Sequence, residues 1–309
     1  MTAVLEAVDA TKSYGEVLGL NGFTATVGPG TTGLIGPNGA GKSTLFRLLV
    51  GQLHLDRGRL ELLGHPAGAQ GEFRRRVGYC PEHFALYDWM TGLEFVTGLL
   101  RVDGFGRAEA RGRAGAAIET VGLADAAHRR IRVYSRGMRQ RVKLAQAIAH
   151  DPELLLLDEP LNGVDPVGRA HLIDLFERLA RDGRHLLVSS HVLYEVERLT
   201  ESIVMISNGR ALAQGDFHRI RDLLDARPHT IDLATPDPRG LARVLSGWDH
   251  VVAVEFPGEG RLTVRSRAPE TFYRDLPGVV VAEGIRVTAM RSVDDNLDAV
   301  FRYLTEGRG

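Results

Sequence analysis

The chain has 309 residues, 44% hydrophobic and 25% charged, with 38 basic against 39 acidic side chains and a formal net charge of −1. That balance excludes a disordered polyelectrolyte, offers no whole-chain attraction for a polyanion, and the single cysteine, Cys80, excludes a disulfide scaffold. No apolar run approaches the roughly 20 residues of a membrane-spanning helix, and residues 1–9 carry acids where a secretory signal has bases, so an intracellular chain of about two domains is expected.

Short apolar runs alternate with helix-length amphipathic segments, the pattern of an α/β fold with a largely parallel sheet. In chain order the pattern predicts a strand over 31–35, a helix over 42–50, a strand over 77–80 and a helical Gly/Ala/Arg-rich insertion over 92–122. A helix over 137–149 follows, with Val142, Ala145, Ile148 and Ala149 at helical spacing. A strand over 153–157, a helix over 167–180, a strand over 185–189, a helix over 192–199 and a strand over 202–206 complete a first domain, residues 1–215. Composition shifts between Gly215 and Pro228, and residues 216–309 read as a small α+β domain. Its predicted strands cover 229–234, 250–256, 261–265, 278–282 and 285–289, and its helices 238–246, 269–275 and 294–305. That order suggests a split βαβ sandwich with one additional strand and helix.

The segment Gly36-Pro37-Asn38-Gly39-Ala40-Gly41-Lys42-Ser43-Thr44 matches G-x-x-x-x-G-K-S/T between a predicted strand and a predicted helix, the context of a P-loop. Its glycines let backbone N–H groups turn inward around phosphate, and the helix N-terminus adds partial positive charge. Lys42 is the candidate ligand of the β- and γ-phosphates of ATP, and the Ser43 hydroxyl of Mg²⁺. Downstream, Leu154-Leu155-Leu156-Leu157 ends in Asp158-Glu159. Two carboxylates at the end of a buried strand are costly without a cation or a proton-transfer task. Asp158 suits the Mg²⁺ shell and Glu159 the base that polarises an attacking water. Acidic residues in a first helical turn would give the same letters, and only the P-loop favours the chemical reading.

Between these motifs, Tyr134-Ser135-Arg136-Gly137-Met138-Arg139-Gln140-Arg141 opens a predicted helix. It resembles the signature sequence of ATP-binding cassette (ABC) ATPases, usually L-S-G-G-Q: Ser135 and Gly137 match, whereas Tyr134, Arg136 and Met138 follow a variant of bacterial exporters whose membrane subunits are separate chains. The resemblance implies a P-loop ABC ATPase core, with a RecA-like sheet and a helical subdomain over about 84–150, followed by the small C-terminal domain. It further implies that Ser135 and Gly137 meet ATP held by a second subunit, and that Tyr14 stacks on adenine; a core or strand-edge tyrosine is the plain alternative. Leu161-Asn162-Gly163-Val164-Asp165-Pro166 resembles the D-loop, which implies a place for Asp165 beside the nucleotide, and His191 resembles the switch histidine at the γ-phosphate. Where the family usually has glutamine this chain has Glu82, which the resemblance puts near Mg²⁺. The stretch 83–91 carries Phe84, Tyr87 and Trp89 where the family receives the coupling helix of its membrane subunit, or else merely packs its subdomain. Residues 292–301 resemble, weakly, the terminal helix of exporter ATPases.

The resemblance thus implies an ATP-hydrolysing subunit, homodimeric, at the cytoplasmic face of the cell membrane, energising a separate integral-membrane permease, with export as the direction and no nucleic acid as partner. The competing readings are a non-membrane ABC ATPase acting on the ribosome or DNA, and a P-loop GTPase or kinase. The first normally carries two cassettes per chain or long inserts, and the second lacks its N-K-x-D guanine motif here.

Overall fold

The computed structural model describes residues 3–69, 71–216 and 228–293, and the chain divides into two compact units, Met1–Asp216 and Phe217–Gly309. In the first unit a six-stranded sheet has the order β10-β9-β3-β8-β7-β6, built from β3 (Thr31–Ile35), β6 (Val77–Cys80), β7 (Leu154–Asp158), β8 (His185–Ser190), β9 (Ser202–Ser207) and β10 (Arg210–Asp216). All its pairings are parallel except the one between β9 and β10. Alternation along β7 divides the interior: Leu155 and Leu157 face one buried cluster, Leu154 and Leu156 the other. A strand buried on both faces reads as a continuous apolar run, hence the four leucines.

The first cluster holds α3 (Gly92–Val102), α4 (Arg107–Thr120), α5 (Arg136–Ile148) and α6 (Pro166–Arg181). The second lies under α1 (Lys42–Leu49), the short α2 (Glu72–Arg75), which contributes Phe73, and a four-stranded antiparallel sheet, order β2-β1-β4-β5, from β1 (Leu5–Tyr14), β2 (Val17–Val27), β4 (Arg57–Leu62) and β5 (His65–Pro66). The sequence pattern missed this sheet and β10. Three of its inward positions, Ala7, Ala10 and Ala25, are small among larger ones such as Leu5, Leu20 and Phe23, and register shifts between β1 and β2 break the alternation.

Side-chain caps start α3, α5 and α6, whereas α1 begins at Gly41 with no side-chain cap. Thr91 and Glu94 form a reciprocal capping box on α3, Ser135 caps α5, and Asp165 caps α6 with Pro166 at its first turn. The short helix α7 (Leu193–Glu197) follows β8.

Among its described residues the second unit has the order β-α-β-β-α-β. Strands β11 (His229–Ala234), β12 (Val251–Gly258), β13 (Arg261–Ser266) and β14 (Ala289–Ser292) form an antiparallel sheet of order β12-β13-β11-β14. Ile231, Leu233, Leu262 and Val264 pack on the helices Pro238–Leu245 and Pro269–Ala282. Two sequence expectations are corrected. The strand expected over 278–282 is the end of the helix Pro269–Ala282: Phe272, Leu276 and Val280 repeat every fourth residue onto the core, and Val281 is 81% exposed. The strand expected over 285–289 begins only at Ala289, with Ile285 and Val287 packing from the preceding segment. The terminal helix expected over 294–305 lies outside the described residues.

Candidate nucleotide site

Parallel pairing aligns three strand ends. Ile35 stands opposite Ser190 and Asp158 opposite Ser189, so the loops after β3, β7 and β8 leave the same edge of the sheet, where ligands of open α/β sheets bind. The P-loop folds tightly against its surroundings: Gly41 has φ of 111°, and a Cβ there would lie 2.4 Å from the carbonyl oxygen of Gly19. Only glycine accepts both the left-handed backbone and that approach. Ala40 N–H donates to Pro37 O at 3.1 Å, closing the turn around Asn38 and Gly39.

Lys42, at the first position of α1, folds its ammonium back over this loop. Its Nζ donates to Gly36 O at 2.6 Å and Pro37 O at 3.2 Å and lies 3.2 Å from Oε1 of Glu159. Both side chains are almost wholly buried, 6% and 5% exposed. Glu159 has φ of 47°, a left-handed backbone costing an L-residue on the order of 1 kcal/mol. Its N–H donates to Ser189 Oγ at 2.9 Å, and that hydroxyl donates to Asp158 Oδ1 at 2.7 Å. Ser189 is fully buried, and it fixes both acids at once. The second oxygen of Glu159, Oε2, lies 2.9 Å from His191 Nδ1. Oε1 meets Lys42 without hydrogen-bond alignment, and so is a buried acceptor with no hydrogen-bond partner. A buried acceptor left without a hydrogen-bond donor, beside a buried ammonium, suits polarisation of a water next to an anion.

Tyr14 is 44% exposed at the end of β1, and its ring edge lies beside the first turn of α1. A Cβ on Gly19 would be 2.7 Å from Tyr14 Cε2 and 3.0 Å from Thr44 Cγ2, so glycine makes room for both. Ser43 follows Lys42 on the same turn.

Ser135, Gly137 and Asp165 form a second cluster. Ser135 Oγ accepts Met138 N–H at 3.2 Å, and a Cβ on Gly137 would sit 3.8 Å from Asp165 Oδ2. Asp165 Oδ1 accepts Gly168 N–H at 2.9 Å, and this bond, aided by the charge of Arg141, holds its carboxyl below the usual range. Among the described residues no hydrogen bond or ion pair joins this cluster to Lys42, Glu159 or His191.

Glu82 belongs to neither cluster. Its Oε1 accepts from Asn162 Nδ2 at 3.3 Å, and its main chain is gripped by α5: Lys143 Nζ donates to Glu82 O at 2.6 Å and Pro81 O at 3.2 Å. The same face of α5 reaches the carbonyl of Tyr79 through Gln146, and His150, in the turn just past the helix end, lies 3.2 Å from the carbonyl of Val77, so that both cover the edge strand β6. Sequence reasoning missed Ser189, Lys143 and Gly19. Only the hydroxyl pair Ser189-Ser190, ending an apolar strand beside His191, gave a readable signal.

The described residues contain no group of three His, Cys, Asp or Glu side chains that could hold a metal, and no helix long and apolar enough to cross a membrane. Mg²⁺ needs no such group, since it takes one or two carboxylates and completes its shell with phosphates and water. The hard oxygens of Ser43 and Asp158 fit that requirement.

The family of ABC transporters matches over residues 20–162. An ABC transporter ATP-binding protein of Bacillus subtilis, YxlF, is 32% identical over 273 residues, covering 87% of this chain and 88% of the relative. Nod factor export ATP-binding protein I of Rhizobium sp. is 34% identical over 211 residues, covering 68% and 69% of the two chains. Matches to two cyanobacterial ABC transporter ATP-binding proteins span 62% and 54% of those proteins' own length. The solved structure of an ATP-binding subunit of an ABC transporter superposes with a TM-score of 0.64 at 30% identity, covering 72% of this chain and 93% of that one. The chain belongs to the family of ABC transporter ATP-binding proteins and has their P-loop ATPase cassette fold.

Proposed function

We propose that this chain is the ATP-hydrolysing subunit of an ABC exporter and drives a separate membrane permease. The observation that carries this reading is the buried Glu159 carboxylate, held between the Lys42 ammonium and the His191 imidazole at the carboxyl edge of the parallel sheet.

In this reading the triphosphate lies along the P-loop, with backbone N–H groups at the start of α1 and the Lys42 charge on its β- and γ-phosphates. Tyr14 stacks on adenine beside Thr44. Ser43 and Asp158 would hold Mg²⁺, which supplies neutralisation of the phosphate charge. Lys42 exchanges Glu159 for phosphate, and Glu159 then takes a water proton while His191 keeps the carboxylate oriented. Ser135 and Gly137, at the α5 N-terminus away from this cluster, face the nucleotide of a second copy of the chain. Two such copies enclose two ATP molecules.

Coupling to the permease runs through the loop after β6. Trp89 is 69% exposed and stacks near Tyr87, which packs edge-on against the buried Phe95. Next to it a groove of about 730 Å³ is lined by Tyr79, Phe84, Leu99, Val102, Arg75 and Asp103. Asp88 on this loop pairs with Arg139 of the signature helix at 2.7 Å, which supports transmission between a docked membrane subunit and the nucleotide. Such docking would hold the protein at the cytoplasmic face of the membrane. The named activity of the Rhizobium relative supports export as the direction. The test is co-purification with the membrane protein from the native host, followed by reconstitution in proteoliposomes. ATP-dependent movement of the co-purified ligand away from the ATPase side supports the reading; ATP hydrolysis with no membrane partner retained overturns it.

A further inference from the structure

Glu195 on α7 is 8% exposed, and nothing in the nucleotide reading uses it. Burying a carboxylate is costly unless each oxygen finds a partner. Here both do. Oε1 lies 3.0 Å from Nη1 of Arg169, and Oε2 accepts from Ser190 Oγ at 3.1 Å. Ser190 Oγ also accepts Val192 N–H at 2.9 Å, and Ser190 O accepts Gly36 N–H at 3.3 Å. His191 is therefore held on both chain neighbours, one of them tied to the first residue of the P-loop. At the other end of the pair, Arg169 Nε donates to Val164 O at 2.9 Å, in the segment between Glu159 and the Asp165 cap of α6. One guanidinium thus ties the loop after β7, which carries Glu159, to Glu195 on α7, and through Glu195 to Ser190, the last residue of β8 and the chain neighbour of His191.

We propose that Arg169 and Glu195 are positioning residues for His191: the pair sets the main chain on either side of the imidazole so that Nδ1 meets Glu159 Oε2. The proposal rests on the hydrolytic reading above. A bridge that only tied α6 to α7 would have no need of the Ser190 hydroxyl or of the Val164 carbonyl. Arginine suits the post because its fork serves a carboxylate and a carbonyl together, whereas a lysine has one nitrogen for both tasks.

The experiment uses the full chain as wild type, Arg169→Met, Glu195→Gln, the double variant and Arg169→Lys. A displaced orienting group acts on turnover more than on substrate binding, so each single loss should lower kcat by about tenfold or more while KM for ATP stays within about twofold. The double variant should be no slower than the slower single, because both act through one arrangement. Arg169→Lys should recover part of the rate. Losses that multiply in the double variant, a rise in KM in place of the kcat loss, or kcat falling only in proportion to the folded fraction would overturn the proposal. A second readout is the His191 imidazole signal in spectra of histidine-labelled protein, assigned by its absence in His191→Ala. The signal should move in both single variants, and an unmoved signal overturns the proposal whatever the rates. If the wild-type chain does not hydrolyse ATP, the hydrolytic reading fails, and the imidazole signal alone decides whether the pair positions His191.

Discussion

The Ser189 hydroxyl donates to Asp158 Oδ1 at 2.7 Å while it accepts the N–H of Glu159, so one side chain on β8 orders both acids at the end of β7. All three residues are buried, so no water replaces the bond when it is removed. A hydrogen bond to a buried charged group contributes about 2 kcal/mol. Ser189→Ala should therefore lower unfolding free energy by roughly that amount. It should also reduce ATP turnover, since the left-handed backbone at Glu159 loses its tether; denaturant titration and steady-state hydrolysis check the two effects.

Glu82 stands where an amide is usual in the family, with its main chain clamped by Lys143 and its carboxylate on Asn162. If it acts near Mg²⁺, its charge tightens the metal relative to glutamine. A unit charge at contact distance in a water-like dielectric contributes about 1 kcal/mol, on the order of fivefold in affinity. Glu82→Gln should raise the Mg²⁺ concentration for half-maximal ATPase activity several-fold, and an unchanged value places Glu82 outside the metal's surroundings.

Trp89 is anchored through Tyr87 to Phe95 yet contributes little buried area of its own. Aromatic anchors dominate interface energetics, and truncating one often costs about 2 kcal/mol or more. Trp89→Ala should release the protein from membranes containing its partner while the isolated chain keeps its thermal stability and basal hydrolysis. A lowered melting temperature instead would assign Trp89 to packing.

How much of this was legible follows from where the partners lie in sequence. The P-loop, the Asp158-Glu159 pair and the signature are each contiguous, and β7 announces itself through Leu154 to Leu157, buried on both faces. The antiparallel sheet was not legible, because Ala7, Ala10 and Ala25 give a weak alternation that register shifts interrupt. Ser189 was invisible as a bridge because only the pairing of Asp158 with Ser189 across two strands brings it there. The Lys143 clamp and the Arg169–Glu195 pair likewise join distant segments. In the second unit, three consecutive valines at 279–281 read as a strand, but core contacts at every fourth residue kept them helical.

His150 is half-buried against β6 just past the end of α5, with its ring Nε2 at 3.2 Å from Val77 O. Burial lowers its pKa below the ordinary 6.5. Below about pH 6.5 the unfolded chain therefore binds a proton that the folded chain resists. Stability from this group is present above that pH and is lost as pH falls. Melting temperatures between pH 5 and 8 should decline more steeply toward acid in the wild type than in His150→Gln, which keeps an N–H donor without the titration; equal slopes would remove His150 from the account.

The central claim is that Glu159, held between Lys42 and His191, activates the attacking water. The most direct test is a single comparison of nucleotide binding, turnover and association state in Glu159→Gln. Loss of a positioned general base costs about 10²- to 10⁴-fold in rate. The account predicts retained ATP binding, turnover reduced to that degree and an ATP-dependent dimer that persists because it cannot hydrolyse its nucleotide. Near wild-type hydrolysis by Glu159→Gln would contradict it.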